Sequence, residues 1–218
     1  MKTGVNSKKK IDLSTEVMPE ASLPKKVALP NGSSELKDEE LVILTLASQD
    51  NFSHLIKRYD KKLFNYILKI SNFSREEAED ILQEAFIKIY LNLNEFDPKL
   101  KFSSWAYRIV HNQVISNYRK SKARPQKVEL DNGIIENLAS DLNITIEIDN
   151  KFLKRNINKV FNLMDEKYRE VLFLKFMEEK NYREISDIIR KPIGTVATLI
   201  NRAKKQFREE LNKQDINF

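Results

Sequence analysis

Apolar residues recur along much of the chain at three- and four-residue spacings, the period of amphipathic helices. Order begins near Lys37, where DEELVILTLAS opens on Asp38, Glu39 and Glu40, acids that suit a helix N-terminus. A second helix places Phe52, Leu55, Ile56, Tyr59, Leu63, Tyr66, Ile67 and Ile70 on one stripe. A third opens at a capping box, Ser74 with Glu77. It turns Ala78, Ile81, Leu82, Ala85, Phe86, Ile89 and Leu93 inward and leaves Asp80, Gln83, Glu84 and Lys88 outside. The loop NEFDPKLKFS is broken by Pro98, and a fourth helix is expected from about Ser104 to Lys120, ending in a basic cluster. Four helices sharing these stripes make one compact domain over 36–120.

Residues 121–148 carry Pro125, Asn132, Gly133 and scattered apolar residues, and read as a flexible linker. Helical order resumes near Asp149, with Phe152, Ile157, Val160, Phe161 and Met164 in period. DEKYREVLFLKFMEE then follows as a helix, and a second capping box, Asn181 with Glu184, opens YREISDIIR. The turn KPIG leads into TVATLINRAKKQFREEL, completing a second domain over 149–218. Residues 1–35 mix Lys, Ser, Pro and Gly without a lasting apolar period and read as a flexible tail. The expected fold is all-α: two small helical domains joined by a flexible linker, the C-terminal one a helix-turn-helix.

Composition narrows the function. Among 218 residues there are 4 Gly and 6 Pro, too few for an all-β chain that turns every few residues. The absence of Cys excludes disulfides, iron–sulfur clusters and thiolate zinc sites, and fits a reducing compartment. No apolar run approaches a membrane span and no signal peptide is visible, so a cytoplasmic protein is expected. With no Gly-rich phosphate loop and two His, at 54 and 111, the chain offers nothing catalytic; no enzyme activity, cofactor, metal or small-molecule substrate is expected. A net charge of +6 makes contact with a polyanion plausible without proving it.

The last three elements have the layout of a helix-turn-helix. Ile185, Ile188 and Ile189 bury its first helix, and Val196 and Ile200 lock the second across it. The second helix can then present Thr195, Thr198, Asn201, Arg202 and Lys205 to a major groove, where Arg suits guanine and Asn adenine. Lys191, Lys204, Lys205 and Arg208 lie where phosphates would be met. An ordinary helical hairpin with a solvated basic face would share this pattern.

EISDIIRKPIGTVATLINRAKKQF resembles region 4 of the extracytoplasmic-function (ECF) group of bacterial sigma factors, and AEDILQEAFIKIY resembles their region 2. FSSWAYRIVHNQVISNYRK follows the second motif as a family-like block, so two motif sets occur in the family's order across about 36–212. The resemblance implies a transcription-initiation factor that docks core RNA polymerase through Asp80, Gln83, Glu84 and Ile87. It also implies that the Asn94–Phe102 loop and the fourth helix read and open the upstream (−10) promoter element, with Lys99, Lys101, Arg108, Asn112, Arg119 and Lys120 as candidates. Trp105 is expected in the core rather than stacked on bases. The C-terminal helix would read the −35 element. An anti-sigma factor is a further partner that the resemblance suggests.

Three positions depart from the family pattern: Ala197 and Leu199 stand where basic residues are common, and Ser116 where an acid is common. They bear on promoter sequence. The linker's 28 residues reach at most ~95 Å when extended, against roughly 70 Å for two DNA turns, so both domains can engage one duplex. The competing readings are a stand-alone helix-turn-helix regulator, which leaves the region 2 motifs without a role, and a decoy that sequesters a regulatory partner.

Overall fold

The structure, a computed structural model, describes residues 36–120 and 159–213. The tail at 1–35, the linker at 121–148, Phe152, Ile157 and the side chain of Lys120 lie outside the described residues. Among the described residues every regular element is helical. The N-terminal domain contains α1 (Asp38–Ala47), α2 (Phe52–Ile70), α3 (Arg75–Leu91) and α4 (Phe102–Lys120). The C-terminal domain contains a helical stretch at 159–163, then α5 (Glu166–Leu172), α6 (Tyr182–Ile189) and α7 (Ile193–Lys213).

The acids that open α1 reach well beyond their own helix. The Asp38 carboxylate accepts from Arg58 at 2.6 Å and from the Tyr59 hydroxyl, tying α1 to α2. Glu39 Oε1 accepts from the backbone N–H of Phe102 at 2.9 Å and so caps α4. That long-range cap explains why α4 begins two residues before the expected Ser104. The stripe on α2 buries Leu55, Tyr59, Leu63, Tyr66, Ile67 and Ile70 as expected, with Phe52 and Ile56 half-buried. Helix α3 opens on the expected capping box: Ser74 Oγ accepts from Glu77 N–H at 3.1 Å, and Glu77 Oε2 from Ser74 N–H at 2.7 Å. Buried Gln113 of α4 accepts from Lys88 and donates to Glu84, fastening α4 to α3. Trp105 lies in the core, its ring 5.4 Å from Phe96 and 5.8 Å from Phe102.

In the C-terminal domain, α7 buries Val196, Ile200, Ala203, Phe207 and Leu211, a seam of one helical face. The long helix expected after Asp165 is instead α5 followed by one turn of π-helix, Phe173–Met177. Val171, Leu172, Phe173 and Leu174 are consecutive and all buried. The wider turn is closed by Glu178 N–H on Phe173 O at 3.2 Å. Asn181 and Glu184 form the expected second capping box at the start of α6.

The turn of the helix-turn-helix differs from expectation. Gly194 lies inside the first turn of α7, and the left-handed residue is Arg190, at φ 52° and ψ 49°. Ser186 imposes this: its hydroxyl donates to Lys191 O at 2.5 Å, while its carbonyl accepts from Lys191 N–H at 3.2 Å.

The two domains are in contact, mainly through α4 with α6 and α2 with α5. Glu170 Oε1 accepts from the Tyr66 hydroxyl and meets His111 Nδ1, each at 2.6 Å. Glu166 Oε1 accepts from the Tyr118 hydroxyl at 2.7 Å and from Asn72 Nδ2 at 3.0 Å, and Arg169 donates to Asn72 Oδ1 at 3.2 Å. Lys180 Nζ donates to Ser103 Oγ at 2.8 Å while lying over the Tyr107 ring.

Two stability changes follow. Ser74→Ala removes one half of the α3 cap and lowers unfolding free energy by about 1 kcal/mol in denaturant titration of the full chain. Arg190→Gly relieves a left-handed non-glycine residue and raises it by about 0.5 kcal/mol after the entropy cost of glycine; an unchanged midpoint would mean that Ser186 holds the turn without strain.

Candidate nucleic-acid interface

Burying one seam of α7 leaves the opposite face to solvent. Thr195, Thr198, Asn201, Arg202 and Lys205 are all exposed there. Asn201 and Arg202 make no side-chain hydrogen bond or ion pair among the described residues, so their donors face solvent. Thr198 donates to Gly194 O at 2.9 Å, which spends its proton and leaves a methyl and an acceptor outward. Lys205 lies 3.8 Å from Glu209, a loose pairing that a phosphate could displace. Lys204 is half-buried with its ammonium over the Phe176 ring, and Lys191 is exposed in the turn. Leu199 is partly buried against the core and Ala197 is half-exposed. Ile193, exposed at the first residue of α7, was not a sequence candidate; its place between Pro192 and Gly194 in the turn was the available signal.

The cations around α4 divide into two groups. Asn112 and Arg119 are exposed along its outer face, at spacings that align them with half-buried Arg108. Ile115, also partly exposed on that face, was missed because apolar residues in a periodic helix read as core. The second group sits at the domain junction. Lys99, Lys101 and Arg108 line a cavity of about 420 Å³, whose other wall holds Arg183, Glu184 and Asp187 of α6. Lys101 Nζ pairs with Glu184 Oε1 at 2.9 Å. Burial pushes the Glu184 carboxyl up, but the Asn181 N–H and the Lys101 ammonium together hold it below the usual carboxylate range. Glu184 is therefore a fixed negative charge at neutral pH. Ser104, which also lines the cavity, has a buried hydroxyl without a hydrogen-bond partner among the described residues.

On α3, Asp80, Gln83, Glu84 and Ile87 are all exposed and share one face. Ile87 is 59% exposed, and Leu91, one turn further along the same face, is 68% exposed. Leu91 was not a candidate because it reads as the last apolar residue of a helix. Mixed apolar and charged residues on an open helix face suit a protein partner. The face lies on the first domain, and none of the contacts to α5 and α6 uses it.

His111 has a single carboxylate partner, Glu170, and no cluster of metal-binding residues occurs among the described residues. No described helix is long and apolar enough to cross a membrane.

Comparison with known proteins identifies the family. The family model for Sigma-70 region 2 matches residues 55–124, and that for Sigma-70, region 4 matches residues 154–207. The chain is 34% identical over 174 residues to the ECF RNA polymerase sigma factor SigW of Bacillus subtilis, spanning 75% of this chain and 90% of that one. It is 26% identical over 183 residues to the ECF RNA polymerase sigma-E factor of Escherichia coli K12, spanning 79% and 93%. Among solved structures, CnrH in complex with the cytosolic domain of CnrY shares the fold at a TM-score of 0.57 and 20% identity, covering 81% of this chain and 97% of that one. The sigma factor RpoE bound to the anti-sigma factor NepR from Bartonella quintana does so at a TM-score of 0.55 and 18% identity, covering 74% and 97%. Both regions match in order, and the relative at 34% identity is spanned over nine-tenths of its length: the chain belongs to the ECF group of RNA polymerase sigma factors.

Proposed function

We propose a division of labour among the three faces for directing core RNA polymerase to promoters. The α3 face of Asp80, Gln83, Glu84, Ile87 and Leu91 docks the core enzyme. Lys99, Lys101, Arg108, Asn112, Arg119 and Lys120 capture and open the −10 element. The outer face of α7, with Lys191 beside its turn, reads the −35 element through Thr195, Thr198, Asn201 and Arg202 and holds phosphates through Lys204 and Lys205. The domain division at 36–120 and 149–218 accompanies this reading, with 1–35 as a tail and 121–148 as the linker. The observation that carries it is the pairing of an open, partly apolar α3 face with an α7 face whose Asn201 and Arg202 are uncommitted.

The protein acts in the cytoplasm, where core polymerase and DNA are, and contributes binding rather than catalysis of its own. An anti-sigma protein is a further partner, a reading supported by the two solved neighbours, CnrH in complex with the cytosolic domain of CnrY and RpoE in complex with the anti-sigma factor NepR. A stand-alone helix-turn-helix regulator would leave the exposed apolar residues of α3 unexplained.

Ile87→Glu places a charge in the centre of the docking face and raises the dissociation constant for core enzyme by about ten- to a hundredfold, measured by fluorescence anisotropy. Its helicity stays unchanged, because Ile87 is exposed. Arg202→Glu leaves core binding intact and lowers run-off transcription from promoters mapped for the wild-type holoenzyme, at a cost of about 1–3 kcal/mol in promoter affinity. Tight binding of the free protein to a palindromic site, with no affinity for core enzyme, would overturn the reading in favour of the stand-alone regulator.

A further inference from the structure

We infer that the outer face of α1 is a docking surface for this chain's own N-terminal segment, Lys25-Lys26-Val27-Ala28-Leu29, folded back along the helix.

Helix α1 is apolar on more than its core side. Leu41, Val42 and Thr45 are buried against the domain, yet on the opposite side Ile43 is 57% exposed and Leu46 50% exposed. The two stand three residues apart on one helical face, with half-exposed Ala47 beside them. Adjacent large aliphatic side chains in water form a patch rather than a scatter. The region 2 match begins at residue 55, beyond α1, and none of the residues assigned to polymerase or to promoter DNA lies on this helix. Two side chains are far too small an area to hold a separate folded partner or a second copy. A segment already tethered beside them needs much less, because its effective concentration is on the order of millimolar.

The chain supplies such a segment at the right distance. Leu36 is half-buried against the core and its carbonyl accepts from Arg58 at 2.8 Å, so the 35 residues before it leave from a fixed point at the foot of α1. Going backwards from that point, the first apolar run is Val27-Ala28-Leu29. Between them lies Pro30-Asn31-Gly32, a combination suited to reversing the chain. Residues 30–35 reach at most about 20 Å, whereas Ile43 and Leu46 stand about 10 Å and 15 Å along the axis from Leu36.

Register and charge agree. Pro30 disfavours a helical Leu29, so the docked segment is extended, at about 3.3 Å per residue against 1.5 Å for the helix beside it. With Leu29 on Ile43, Val27 falls about 7 Å further along, close to Leu46, and Lys26 about 10 Å along. Asp50 also stands about 10 Å beyond Ile43. It is exposed and makes no ion pair among the described residues, and the last turn of α1 carries no basic residue of its own. Lys25 and Lys26 bring positive charge to a helix C-terminus and a carboxylate that lack it.

The chain's lack of Cys permits a clean test. The full chain carrying Ala28→Cys and Asn65→Cys, the second exposed on α2, is labelled with nitroxide at both positions, and the distance between labels is read by pulsed dipolar EPR. One narrow distance is expected, the same at every protein concentration. Val27→Asp with Leu29→Asp, and separately Ile43→Gln with Leu46→Gln, are each expected to abolish it in favour of a broad distribution. Because Ile43 and Leu46 are exposed, the α1 variant keeps its helicity by circular dichroism, and both variants bind core enzyme as the parent does. A broad distribution in the parent, or a narrow one that survives the α1 substitutions, overturns the inference. So does a narrow distance that disappears on dilution together with a dimer in sedimentation, which gives the face to a second copy. Loss of core binding by the α1 variant alone also overturns it and gives the face to polymerase.

Discussion

Helix α4 has to satisfy neighbours on nearly every side, and the arrangement of the molecule follows from that demand. Its buried residues Phe102, Ala106, Tyr107, Val110 and Val114 complete the core of the first domain. Glu39 caps its first turn, Gln113 ties it to α3, and the Tyr107 ring meets Tyr66 of α2 at 5.0 Å. A helix held from so many elements is a rigid platform for the residues on its remaining face. The same rigidity gives α6 a defined surface on which to settle.

Two kinds of interface coexist in the chain, and they differ in chemistry. Helix α7 is held to α5 and α6 by a continuous apolar seam, whose exposure to water would cost several kcal/mol. Contact between the domains combines Phe173 against Tyr66 and the Lys180 ammonium over Tyr107 with hydrogen bonds and ion pairs. Burial raises the Tyr66 hydroxyl well above its usual range, with the Glu170 charge adding to the effect, so it remains a proton donor to that carboxylate.

The departures from the family pattern also acquire structure. Leu199 packs partly against the core, so its replacement of a basic residue adds to the helix-turn-helix interior as much as it subtracts from the DNA face. Ser116 donates to Asn112 O at 2.8 Å, satisfying its hydroxyl within α4 itself. Leu199 leaves its helix face less cationic than the family pattern would supply, and Ser116 leaves α4 less acidic.

Local information was enough for helices, caps and faces. The spacing of Leu55, Tyr59, Leu63 and Tyr66, the Ser74–Glu77 and Asn181–Glu184 boxes, and the isoleucines of α6 each act within a turn or two, so they are legible as text. The exposure of the α3 and α7 faces follows, since a residue off the apolar stripe has nowhere to go but solvent. What lay beyond reach were contacts whose partners are distant in the chain. Glu39 starting α4 early, Gln113 between Lys88 and Glu84, and Glu170 meeting Tyr66 and His111 depend on how helices stack. The π turn at Phe173 and the left-handed Arg190 were also missed, the second although its cause, the Ser186–Lys191 pair, is local. Most of all, the seating of α6 on α4 came only from the tertiary structure: periodicity tells which face of a helix is apolar, but a polar seam of single hydrogen bonds leaves no period to read.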